Sequence, residues 1–269
     1  MEGGSSRSLR AVLDSTAAVL SDGADATQVG DDLFALALTL DGAHSLRRAL
    51  TEPAVPVEAK SRLLHSLLDG QIGAPALTVT EAGLGQRWSS TRDFPDALEQ
   101  ASVAAHVAKA DEEDRLDDLE DNLFRFSRIA EANAGLRDAL SDATTPLDAK
   151  RRLLSDLLGD KVDRTTATLL GQAVAGRHRS LTTALGVYQR VAADRRDSMI
   201  ATVWVAAPLS EQHRERLAQA LSAQHSKRIH LNVVVDPSVL GGVRVAVGDE
   251  VLDSTVETRL RQAHRRLDR

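Results

Sequence analysis

The 269-residue sequence predicts a mainly α protein with a small α/β part: two tandem helical bundles followed by a C-terminal strand-helix-strand-strand-helix domain. Three observations predict it. Residues 46 to 68, LRRALTEPAVPVEAKSRLLHSLL, recur ninety positions later as LRDALSDATTPLDAKRRLLSDLL. The two copies share twelve identities in twenty-three positions, where average residue usage gives roughly two. Hydrophobic residues make up 42% of the chain but aromatic ones only 3%, so the cores must be built from Leu, Val and Ala, which suits helix packing. Near residue 197 the apolar pattern changes from a helical period to runs rich in Val and Ile. The expected divisions are 1–104, 105–196 and 197–269.

The helical units are read in order. DDLFALALTL (31–40) and DNLFRFSRIA (121–130) match at the same offset, Leu33 with Leu123 and Phe34 with Phe124, and both read as amphipathic helices. In the repeated segment Thr145 can cap a helix, Pro146 suits its first position, and Asp148 sits in the first turn; Pro56 and Glu58 hold the same places in the first copy. Leu63, Leu64, Leu67 and Leu68, and ninety residues on Leu153, Leu154, Leu157 and Leu158, make one apolar stripe with Lys60 or Lys150 outside it. Gly70 and Gly159 stop these helices. Further on, Arg87 stands opposite Arg177 and Leu98 opposite Tyr188. ADEEDRLDDLEDNLFRF contains neither proline nor glycine, so the second bundle is expected to open on a long charged helix continuing from the first.

Beyond residue 197, SMIATVWVAAPLS (198–210), RIHLNVVVD (228–236) and GGVRVAVGDEVLD (241–253) read as strands. Ser210 caps an intervening helix that spaces Leu217 and Leu221 four apart. Pro237 marks a turn, Gly248 with Asp249 a tight reversal, and Ser254 with Glu257 a capping box for a last helix lined by Val256, Leu260, Ala263 and Leu267.

A formal charge of -6 and a pI near 5.8 argue against nucleic acid as a partner. AGRHRS (175–180), with the self-neutralised ADRRD (193–197), is the only strong local excess of positive charge, and the one feature that favours a second reading as a helical RNA-associated transcription regulator. The chain has no cysteine, its eight histidines are scattered, and GLG at 83–85 lies in a helical pattern as a packing feature. No phosphate-loop motif occurs. No catalytic residue, cofactor or metal is expected. No stretch approaches the roughly 20 apolar residues of a membrane span, so contact with a membrane is expected only through a partner.

One constellation is dense: VDPSVLGGVRVAVGDEVLDSTVETRL, residues 235 to 260. Its ordered Asp236, Leu240-Gly241-Gly242, alternating strand, Gly248 turn, Asp253-Ser254 and Leu260 closely resemble the signature of the delta subunit of the F-type ATP synthase, the oligomycin-sensitivity-conferring protein family. SMIATVWVAAPLSEQ and the second repeat extend the resemblance over about residues 105 to 269. It implies an enlarged delta subunit of the kind found in high-GC actinobacteria, with an additional helical unit in front. It further implies a non-catalytic peripheral-stalk subunit on the cytoplasmic face of the plasma membrane. Such a subunit takes the N-terminal helices of the head's alpha subunits into grooves of its bundle and joins the membrane-anchored b subunit through its C-terminal part. Val256, Leu260 and Leu267 are the expected stalk interface.

Overall fold

The computed structural model describes residues 4–253 except 143, 160, 176, 179, 197, 226–227, 237–238, 240–241 and 248–249. Helices α1 (Gly4–Ser21), α2 (Ala26–Gly42), α3 (His44–Thr51), α4 (Val57–Leu68), α5 (Ala74–Leu84) and α6 (Asp93–Glu112) form the first series. The second runs α7 (Leu116–Ala132), α8 (Ala134–Ser141), α9 (Leu147–Leu158), α10 (Arg164–Ala173) and α11 (Leu181–Arg196). Both ends of α7, α8 and α9 lie ninety residues after those of α2, α3 and α4, since 116−26, 134−44 and 147−57 all equal 90. Each polar turn and each leucine stripe of the repeat has thus produced the same element twice.

The series overlap in α6. Shifted by ninety residues, α1 falls on α6, and α6 falls on α11, so α6 closes the first set of helices and opens the second. It gives Phe94, Ala97, Leu98, Ala101 and Ala105 to a core with Val12, Leu33, Leu40, Leu50, Leu64 and Leu84. It gives Val103, Val107 and Ala110 to a core with Leu119, Leu123, Leu140, Leu154, Leu169 and Leu185. A helix apolar on all sides is stable only when surrounded, and 13 of its 20 residues are buried. The boundary at 104/105 therefore falls inside one helix, and contacts bind Met1–Arg195 into one compact unit.

Three local expectations are corrected. The helix does not run on through the acidic stretch: α6 stops at Glu112, Asp114 takes φ 54°, and Arg115 N–H reaches back to the Ala110 carbonyl at 2.8 Å. This Schellman closure needs a left-handed residue, a conformation Asp tolerates better than most. Pro56 and Pro146 stand at the N-cap, one position earlier than expected, with extended ψ of 144° and 140°. Thr145 does not cap but donates to Asp142 Oδ2 at 2.8 Å. Lys60 and Lys150 are buried, not outside the stripe. Their stems cover apolar surface, and Lys60 Nζ donates to the Leu84 carbonyl at the end of α5, while burial lowers its pKa against a smaller opposing pull from Glu52.

Residues 196–269 form the second unit. β1 (Ser198–Val205), α12 (Glu211–His225), β2 (Arg228–Val235), β3 (Val243–Val247) and β4 (Glu250–Asp253) build a four-stranded sheet of order β2-β1-β3-β4. β1 and β2 are parallel across the α12 crossover, and β3 and β4 are antiparallel to their neighbours. The third strand run thus splits in two, with Val247 opposite Glu250. Alternation buries Ala201, Val203, Val205, Val245 and Val247 with Leu217 and Leu221 of α12. Ser210 receives the His213 N–H at 3.4 Å, as its capping role requires. Trp204 points to the opposite face, where the Arg244 guanidinium lies 5.2 Å from its ring centroid.

Candidate interaction site

α6 is held on both sides by buried polar contacts. Ser102 Oγ donates to the Gly30 carbonyl of α2 at 2.6 Å, and Gln172 of α10 donates to Ser102 Oγ at 3.2 Å and contacts His106 Nε2 at 3.1 Å. A Cβ on Gly30 would stand 2.6 Å from His106 Nε2, so only glycine lets α2 approach α6 this closely. These contacts tie α2, α6 and α10, elements of both copies of the repeat.

The second set centres on Arg177, whose side chain is 2% exposed. Its guanidinium donates to Asp41 at 2.7 Å, Asp96 at 3.0 Å, Glu99 at 2.5 Å and the Pro95 carbonyl at 3.2 Å. Tyr188 OH of α11 donates to the other Glu99 oxygen at 2.5 Å, and His178 Nε2 lies 3.2 Å from Glu99 Oε2. A planar fork with five donors suits three carboxylates as a lysine could not.

The protonation of the cage follows its geometry. Burial pushes the Glu99 carboxyl up, but His178, Arg177 and the Tyr188 hydroxyl together bring it below its ordinary value. Asp96 is raised, first by burial, with the Glu99 charge adding and Arg177 opposing. His178 is raised by the adjacent Glu99 against the effect of burial. Tyr188 is raised well above its usual range by burial and by Glu99.

Of the basic string 175–180, Arg177 and His178 are thus turned inward onto carboxylates, which removes them from the surface charge that a helical RNA-associated regulator would need. The Arg177 partners Asp41, Asp96 and Glu99 lie 136, 81 and 78 residues away in sequence. The readable signals were two acids three apart in an alanine-rich helix, and a tyrosine where the first copy has Leu98. The repeat partner Arg87 is exposed.

A groove of about 540 Å³ opens between α2 and the α9–α10 pair. Phe34, Ala35 and Leu38 line one wall, and Leu154, Leu158 and Ala167 the other, with Arg151 and Arg164 exposed at the rim. Elsewhere Phe124 and Ile129 of α7 are 57% and 54% exposed, although the repeat partner Phe34 is 5% exposed.

Of the signature residues, Asp236 directly follows β2 with its N–H on the Val205 carbonyl at 2.8 Å, and Asp253 ends β4 opposite Arg244. Gly242 has φ 82°, a conformation that favours glycine. Leu240, Gly241, Gly248, Ser254, Leu260, Val256 and Leu267 lie outside the described residues. Among the described residues no helix is long and apolar enough to cross a membrane.

The Arg177 cage and the Ser102–Gln172 contacts brace helices of both repeat copies against one another. The sequence model of the family described as "ATP synthase delta (OSCP) subunit" matches residues 102–267, beginning within α6. A protein named ATP synthase subunit delta from Nocardioides sp. is 46% identical over 89% of this chain and 86% of its own. Its namesake from Streptomyces coelicolor is 44% identical over 92% and 90%, and that of Thermobifida fusca is 39% identical over 99% of both chains. A chain of the Toxoplasma gondii mitochondrial ATP synthase hexamer is 22% identical, over 63% of this chain and 97% of its own, with a TM-score of 0.28, too low to support an argument. The chain belongs to the ATP synthase delta (OSCP) subunit family, and is a component of the enzyme's peripheral stalk. Its relatives cover the additional helices as well, so the enlarged form is shared among them.

Proposed function

We propose that this subunit is a non-catalytic strut on the cytoplasmic face of the plasma membrane, holding the catalytic head to the membrane-anchored stalk against rotor torque. The helical unit takes N-terminal helices of the alpha subunits, and the C-terminal unit joins the b subunit, with Val256, Leu260 and Leu267 as its contact. The division of the chain at residues 195/196 carries this reading, because two compact units can serve two partners. The apolar groove beside α2 supports it on the head side, since helix-in-groove docking needs apolar walls and stiffness rather than a reactive group.

A chain ending at Arg196 is expected to bind the head and to lose b. Retention of b together with loss of the head would reverse the orientation. Within the C-terminal unit, a folded Leu260→Asp variant that no longer binds b supports docking through the last helix, and an unfolded one assigns Leu260 to the core.

A further inference from the structure

The repeat supplies an internal control for the groove between α2 and α9–α10. On the first copy's corresponding face, Ser61 of α4 and Glu81 of α5 are hydrogen-bonded to each other, and His65 Nε2 contacts Glu81 at 3.1 Å. That clasp closes the cleft between the two helices. Ninety residues on, the same positions hold Arg151, Gly171 and Ser155, and all three line the groove. A Cβ at Gly171 would meet nothing within 4 Å. Ala74 of the first copy becomes Arg164, also at the rim.

The second copy has therefore lost an acid and gained two cations where its face meets α2. Among the described residues neither Arg151 nor Arg164 forms an ion pair. The remaining charge in the lining, Asp31, is exposed, with its Oδ1 3.4 Å from His106 Nε2. The walls between are apolar, and the volume falls within the roughly 300–1,000 Å³ of ligand-binding clefts.

We propose that this inter-repeat groove receives an amphipathic helix of the catalytic head. The helix lays its apolar stripe on Phe34, Leu38, Leu154 and Leu158 and pairs flanking carboxylates with Arg151 and Arg164. The inference rests on the head-docking reading above and adds the charge of the docked segment and the two arginines that read it. Arginine suits such a rim because its fork matches a carboxylate. Needing α2 of one repeat and α9–α10 of the other, the site exists only in the enlarged form of the subunit.

The test titrates the full-length, fluorescently labelled chain with catalytic head stripped of this subunit. The wild type is expected to bind saturably, and more weakly as salt rises. The Arg151→Ser/Arg164→Ala double variant is expected to lose roughly twofold to thirtyfold in affinity, the range for two exposed ion pairs, and most of the salt dependence. Gly171→Glu, which restores the first copy's acid, is expected to weaken binding as well, while Arg152→Ser, an exposed cation outside the groove, leaves it unchanged. Arg151, Arg152 and Arg164 are exposed, a Cβ at Gly171 has open space around it, and circular dichroism verifies the fold. If the wild type binds and both groove variants bind equally well, the groove assignment is overturned while head docking stands. If the wild type does not bind, head docking itself fails and takes the groove proposal with it. A wild type that is dimeric in solution beside a monomeric double variant would give the groove to a second copy and overturn the proposal.

Discussion

Replacing Arg177 by Met removes the one guanidinium that Asp41, Asp96 and Glu99 share, and leaves the chain's volume nearly unchanged. Glu99 is 1% exposed, so its carboxylate cannot turn to water for compensation. Breaking a buried ion pair by deleting one partner costs about 3–5 kcal/mol. For a cooperative unit of this size each kcal/mol corresponds to about 2–4 °C in the melting temperature. The helical unit is therefore expected to melt about 6–20 °C lower, as followed by circular dichroism at 222 nm. Adding Glu99→Gln should return part of the loss, because the second substitution removes the charge that the first left bare, and the double-mutant cycle isolates that coupling. Arg177→Lys should recover only part, since one ammonium cannot reach three acids in a plane. A drop below about 3 °C for Arg177→Met would show that the cage is solvated and would refute the reasoning.

His178 has its folded pKa raised above the ordinary 6.5, so its contribution to stability is complete below that value and is lost as pH rises through the folded one. The melting temperature should therefore fall as pH rises above 6.5, and His178→Gln should flatten that slope. Glu99, lowered, acts in the opposite sense, with a contribution present above its unfolded pKa and lost on acidification. Gly242→Val, at φ 82°, should cost the C-terminal unit about 1–2 kcal/mol or more, measured by chemical denaturation. Gly30→Ala should cost about 1–3 kcal/mol through overpacking against His106, measured in the same way. Calorimetry with Mg-ATP should show no saturable heat, since the sequence has no phosphate loop; micromolar binding would contradict a purely structural subunit.

The helices were legible wherever one side of a segment was apolar and the other was not. Leu63, Leu64, Leu67 and Leu68 and their copies announced α4 and α9, and Val-rich alternation announced the strands. α6 was not legible as a shared element, because burial on all sides erases periodic contrast and its alanines serve two cores alike. Lys60 and Lys150 were misplaced because periodicity assigns a charge to solvent, whereas a long stem can lie inside, as where Lys60 Nζ reaches the Leu84 carbonyl. The Arg177 cage was hidden for a different reason. Charge is read locally along a chain, and an arginine whose acids lie nearly 80 or more residues away gives no local sign that it is paired. The groove was invisible too, since Arg151 and Gly171 gain meaning only beside Phe34.

Because one helix serves both copies of the repeat, no joint separates them. Two bundles strung on a linker would behave as springs in series, the softest element setting the give of the whole under load. Here any twist applied to the α1–α5 side passes through the backbone of α6 into α7–α11, and bending at that point would have to open two leucine cores together. In a stationary arm that must return elastic strain rather than dissipate it, lengthening by a shared rod adds reach without adding slack.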